Sequence, residues 1–85
     1  MMNYKVVYTK SAFKDIKKLD RVAKRKIKNK IEAYLQNPTS NAKRLTNPKI
    51  GTYRWRAGNY RIVFDIKNKT VVILRMGHRR EIYRH

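Results

Sequence analysis

The chain predicts an α+β fold: an N-terminal strand, a helical hairpin, and then an antiparallel meander sheet. Three observations carry this. A short aromatic and β-branched run, Tyr4 to Tyr8 (YKVVY), stands near the start and reads as a strand. Apolar residues then recur at helical spacing as far as Leu35. From Tyr53 onward, strand-like runs alternate with short turns. Runs of helix followed by runs of strand argue for α+β. The 85 residues suffice for one domain, residues 1–85, with one modest core.

Thr9 and Ser11 are candidate caps for the first helix, and Phe13, Ile16 and Leu19, spaced three apart, predict its apolar face. Asp20 can cap a second helix, in which Ala23, Ile27, Ile31, Tyr34 and Leu35 form an amphipathic stripe. Lysines and arginines between Lys24 and Lys30 fill its other faces. Asn37-Pro38 ends this helix, because the residue before proline is pushed out of the helical region. Residues 37–51 read as an ordered surface loop rich in Asn, Thr, Ser, Pro and Lys.

Tyr53 to Ala57 alternates as a strand, Gly58-Asn59 suits a two-residue hairpin turn, and Tyr60 to Ile66 is the returning arm. Lys67-Asn68-Lys69 makes the next turn, and Thr70 to Met76 (TVVILRM) reads as a buried central strand. Gly77 is expected to break that strand, leaving His78 to His85 as a basic aromatic tail with Ile82 as its apolar anchor. With the hairpin covering one sheet face, the open face is expected to carry Arg54, Arg56, Arg61, Arg75 and the tail.

Lys and Arg number 23 against 5 acidic residues, a formal net charge of +18. Solubility alone needs a net charge of about 2–8. The excess attracts polyanions, so nucleic acid is the first partner to consider and an acidic protein the second. The absence of cysteine excludes disulfides and cysteine-based metal sites. No apolar run is long enough for a signal peptide or a membrane span, and a soluble protein of the cytoplasm is expected. There is no Gly-rich phosphate loop, no Ser-His-Asp set and no cluster with metal-ligand spacing. Asp65 and Glu81 are the only acidic residues in the C-terminal half, whereas a two-metal nuclease needs several convergent carboxylates. Neither a metal nor another cofactor is expected.

The residues left to carry chemistry are arginines on adjacent strands. Arg54 and Arg56 share one face of their strand, with Tyr53 and Trp55 on the other. Arg61 follows the hairpin turn on the neighbouring strand, His78-Arg79-Arg80 follows the last strand, and Tyr83 comes four residues after Arg79. Arginine makes bidentate contacts to phosphate and stabilises a developing dianion. Tyrosine stacks on bases or carries a proton. Such a set suits RNA cleavage by the ribose 2′-hydroxyl without a metal. An Arg-rich sheet face is more often a plain binding surface than an active site. His78 also fits a structural hydrogen-bonding role, and Tyr83 that of a tail anchor.

YKVVYTKSAFKDIKKLD, LTNPKIGTYRWRAGNYRIVFDI and VVILRMGHRREIYR, in this order and spacing, resemble the RelE/ParE toxin superfamily, and more closely its RelE branch, over essentially the whole chain. The resemblance implies a microbial-RNase-like sheet on a helical hairpin. It implies ribosome-dependent cleavage of mRNA without a cofactor, and a neighbouring acidic antitoxin that wraps the toxin. By match to the family pattern, Arg61 is the arginine at the scissile phosphate and Arg54 a cation in the preceding strand. Arg79 is the arginine after the glycine of the last strand, and Tyr83 the C-terminal tyrosine acting as base or stacking group. Arg56, Arg75, His78 and Arg80 are supporting substrate-binding candidates. Two departures stand out. Thr52 occupies the place of another lysine, and the Arg79–Tyr83 spacing is short, so Arg80 is an alternative to Arg79 and His78 an alternative acid. The ParE branch, which targets DNA gyrase, and a non-catalytic RNA-binding domain are the alternative functions.

Overall fold

The computed structural model describes residues 4–46 and 51–82. Its elements are β1 (Lys5–Tyr8), α1 (Lys10–Lys17), α2 (Arg21–Tyr34), β2 (Lys43–Arg44), β3 (Tyr53–Ala57), β4 (Tyr60–Lys67), β5 (Thr70–His78) and α3 (Arg79–Ile82). The α+β expectation holds. The strands form one five-stranded sheet in the order β1-β5-β4-β3-β2. β1 runs parallel to β5, and every other neighbouring pair is antiparallel. β1 is thus an edge strand and β5 an inner one.

Both helices start where side chains satisfy orphan amides. Thr9 Oγ1 accepts from Ala12 N, and Asp20 Oδ1 accepts from Ala23 N. In α2 the expected stripe is buried at Ala23, Ile27 and Ile31. In α1 the expected face holds at Ile16 and Leu19, which pack against the core, but is rotated away at Phe13. Phe13 is 60 % exposed, and the buried positions are Ala12 and Asp15. The rotation follows from Asp15, whose carboxylate is drawn to β5 and turns Phe13 outward.

The core lies between the helical hairpin and the inner face of β3–β5. Trp55 is fully buried at its centre, with its ring 4.0 Å from Phe64 and 5.2 Å from Tyr34. Its indole Nε1 donates to Pro38 O at 2.9 Å, which anchors the segment after α2. That segment, read from sequence as loop, contributes the short strand β2, paired with Arg54 and Tyr53.

The β3–β4 turn has Gly58 at φ 64°, and the β4–β5 turn has Asn68 and Lys69 at φ 50° and 59°. Two successive positive φ values suit a tight hairpin turn, so the second turn is narrower than the three residues expected. Gly77 does not end β5; the strand runs through it to His78, paired with Tyr60. A register shift precedes it. Val63 pairs with Arg75 and Phe64 with Ile73, which leaves Leu74 as the extra residue of a bulge. Among the described residues, no helix is long and apolar enough to cross a membrane.

Candidate nucleic-acid interface and active site

Alternation along β3 sends Trp55 and Ala57 into the core, leaving Arg54 half-buried and Arg56 exposed. The β3–β4 register places Arg56 directly opposite Arg61 and Arg54 opposite Val63. Like charges facing each other across a strand pair destabilise a sheet. That arrangement therefore suits a surface meant for an anion. Gly51 lies over this outer face, since a Cβ there would come within 2.5 Å of Val63 Cγ1 and 2.8 Å of Leu74 Cδ1.

Arg61 is only 5 % exposed. Its guanidinium donates to Gly58 O at 3.1 Å and to Tyr60 O at 3.2 Å, which holds it along the hairpin turn. The Arg79 amide donates to Asn59 O of the same turn at 2.9 Å. The start of α3, with Arg79 and Arg80 exposed, is thereby brought to the hairpin that carries Arg61. Arg54 and Arg56 thus share the outer face of β3, Arg56 lies across from Arg61, and the backbone of Arg79 is held at the same hairpin turn. Tyr83 lies outside the described residues.

Arg75 departs from the expected open-face cluster. It pairs in register with Val63, yet its side chain reaches over the edge of β5 to Asp15 of α1, with Nε to Oδ2 at 2.8 Å and Nη2 to Oδ1 at 3.2 Å. Asp15 Oδ2 also accepts from Met76 N at 2.9 Å. The hydrogen bonds to Asp15 raise the Arg75 guanidinium above its ordinary pKa, against the opposing effect of burial. His78 also faces the α1 side, its ring edge-on to Tyr60 with centroids 6.1 Å apart. Arg75, Tyr60 and His78 line a cleft of about 450 Å³ with Asp15, Lys18 and Leu19 of the α1 end. The candidates thus divide between the arginine face and this cleft.

Asp15 was missed from sequence. The available signal was a carboxylate three residues after Ala12 and four before Leu19, on the apolar side of a helix in a chain with only 5 acidic residues. Asp65 serves the fold, its Oδ1 accepting from Thr52 N at 2.7 Å. Among the described residues, no group of three His, Cys, Asp or Glu side chains could hold a metal ion.

Residues 6–83 match the family described as ParE toxin of type II toxin-antitoxin system, parDE. The chain is 35% identical over 86 residues to toxin RelG of Mycobacterium tuberculosis, covering 98% of this chain and 99% of that one. It is 34% identical over 83 residues to toxin RelE3 of Methanocaldococcus jannaschii, covering 93% and 94%. The fold superposes on a chain of the toxin-antitoxin complex RelBE2 of M. tuberculosis with a TM-score of 0.76 and 32% identity, covering 91% of this chain and 99% of that one.

Proposed function

The chain belongs to the RelE/ParE superfamily of type II toxin–antitoxin toxins, and on that premise we propose that it is an endoribonuclease that cuts messenger RNA on the ribosome. The observation that carries this is the outer face of the β3–β4 hairpin, where Arg56 lies across from Arg61 with Arg54 on the same strand face and the Arg79 amide is bonded to the turn. The ribose 2′-hydroxyl gives up its proton to a general base as its oxygen attacks the adjacent phosphorus, the bond from phosphorus to the 5′-oxygen breaks, and a general acid protonates that oxygen. The products are a 2′,3′-cyclic phosphate and a 5′-hydroxyl. Arg61 and Arg79 neutralise the pentacoordinate phosphorane, with Arg54 beside them, while Arg56 and Arg80 hold flanking phosphates. Tyr83 supplies a stacking surface or takes the 2′-hydroxyl proton. Arg61 is only 5 % exposed, its guanidinium held on Gly58 O and Tyr60 O, so its neighbours have to shift for a phosphate to reach it. The chemistry requires neither metal nor cofactor, and its place of action is the cytoplasm.

The partner proposed is an acidic antitoxin forming a hetero-oligomer, as the RelBE2 toxin does with its own antitoxin. Two docking features fit it. β1 has an open edge for strand addition. Beside it, exposed Phe13 and Tyr8 flank an apolar groove of about 290 Å³ floored by Ile16, Ile27 and Ile31 and rimmed by Lys24 and Lys28. An acidic amphipathic segment suits such a groove and masks charge that would otherwise bind RNA indiscriminately. Displacement of α3 and the residues after it is the favoured route of inhibition.

A gyrase-directed poison is the second reading, favoured by the ParE description of the matched family. Purified protein incubated with translating ribosomes, followed by mapping of mRNA 5′ ends, separates the two. Cuts at codon scale bearing a 2′,3′-cyclic phosphate support the ribonuclease. Altered DNA supercoiling without such cuts supports the gyrase poison. Binding without either outcome leaves a non-catalytic RNA-binding domain.

A further inference from the structure

We propose that the cleft between the end of α1 and the ends of β4 and β5 is a subsite for one nucleotide of single-stranded RNA, distinct from the arginine face. The proposal rests on the reading of this chain as an RNA-directed toxin and names a second place where the strand is held.

The cleft exists because β1 is shorter than β5. β1 ends at Tyr8, opposite Ile73, so β5 beyond that point has no strand on this side. The α1 region supplies partial substitutes: Thr9 Oγ1 donates to Leu74 O, and Asp15 accepts from Met76 N. Backbone N–H groups alternate sides along a strand. Met76 N points to Asp15 and Arg79 N points to Asn59, so the N–H of His78 points to the α1 side, into the cleft.

The remaining walls suit a nucleotide. At about 450 Å³ the cleft falls in the range of small-molecule sites, about 300–1,000 Å³. Lys18 and Arg75 bring cations, and the His78 amide brings a donor for a phosphate oxygen. The Asp15 carboxylate has both oxygens engaged by Arg75 and Met76 N, so its charge is already compensated. The Arg75 side chain is 41 % exposed, leaving its remaining N–H groups open to a second anion. Tyr60 and His78, edge-to-face and half-buried, offer aromatic surface to a base. Two cations and a backbone N–H beside two rings match the phosphate and the base of one nucleotide together, whereas the more apolar groove at Phe13 suits an amphipathic peptide.

The test is an amide and aromatic NMR titration of the intact chain with adenosine 5′-monophosphate, with inorganic phosphate and adenosine as separate arms. Saturable shifts at Gly77, His78 and Tyr60 are expected with the nucleotide, and affinity about tenfold weaker with either fragment, the scale of losing one stacking or phosphate contact. Lys18→Glu, at an exposed position, should weaken nucleotide binding by about tenfold or more while the fold is kept. Tyr60→Leu should abolish the advantage of the nucleotide over phosphate. Shifts confined to the Arg56/Arg61 face, or no response to Lys18→Glu, overturn the subsite. So does an acidic peptide that shifts these amides when the nucleotide does not. Ribosomal mRNA cleavage is read separately. Nucleotide binding in the cleft without cleavage keeps the subsite and refutes the ribonuclease. Cleavage with no nucleotide response refutes the subsite alone.

Discussion

Removing the Asp15 carboxylate tests the junction between α1 and β5. Asp15 is 8 % exposed and accepts three hydrogen bonds, two from Arg75 and one from Met76 N. In Asp15→Ala the guanidinium, already 41 % exposed, turns back to water, so the ion pair itself accounts for about 0–1 kcal/mol. The Met76 N–H is buried and loses its acceptor, which costs about 1–3 kcal/mol. The expected total is about 1–4 kcal/mol, and at about 4–8 °C per kcal/mol for a domain of this size the midpoint should fall by roughly 4–30 °C. Asp15→Asn keeps an oxygen for Met76 N and loses the charge and one acceptor facing the exposed Arg75, so a smaller loss of about 1 kcal/mol is expected. Glu32→Gln makes the same change in net charge at an exposed site and controls for general repulsion. Urea and thermal denaturation of the three variants provide the measurement. If Asp15→Ala melts within 3 °C (~0.5 kcal/mol) of Glu32→Gln, the carboxylate does not hold this junction and the reasoning fails.

Other perturbations test the site and the edge strand. Arg61→Ala should lower ribosomal mRNA cleavage by about 10²–10³, the usual effect of removing one preorganised donor, and wild-type kinetics in that variant would remove Arg61 from the site. Tyr83→Phe keeps a stacking ring and loses the hydroxyl; a rate reduced by about 10²–10⁴ assigns the tyrosine to proton transfer, and an unchanged rate restricts it to stacking. Burial, and then Glu32, raise the Tyr8 phenol above its ordinary 10.0. The folded state therefore favours the neutral phenol, and that contribution is complete below pH 10.0 and lost as pH rises through the raised value. Thermal melts above pH 10.0 should show Tyr8→Phe losing less stability than wild type, and parallel losses would refute the assignment.

Much of the fold is written in local patterns. Thr9 and Asp20 mark the two helix starts, because each side chain caps an amide three residues ahead, a relation contained within one turn. The Ala23–Ile27–Ile31 stripe and the alternation around Trp55 are likewise local, and both faces came out as the spacing predicts. So did the Gly58-Asn59 turn that sets Arg56 across from Arg61. The pairing of β1 with β5 joins Lys5 to Thr70, a separation that no periodicity within either strand encodes. The same holds for Asp15 and Arg75, 60 residues apart, whose contact turns Phe13 outward and takes Arg75 from the open face to the α1 side. The bulge at Leu74 belongs with them, since a strand's own alternation cannot announce an extra residue that only its partner's register reveals. Helix caps, turns and buried faces follow from neighbours in the chain. The cleft beside His78 follows from where one strand stops against another, and so exists only once the sheet has formed.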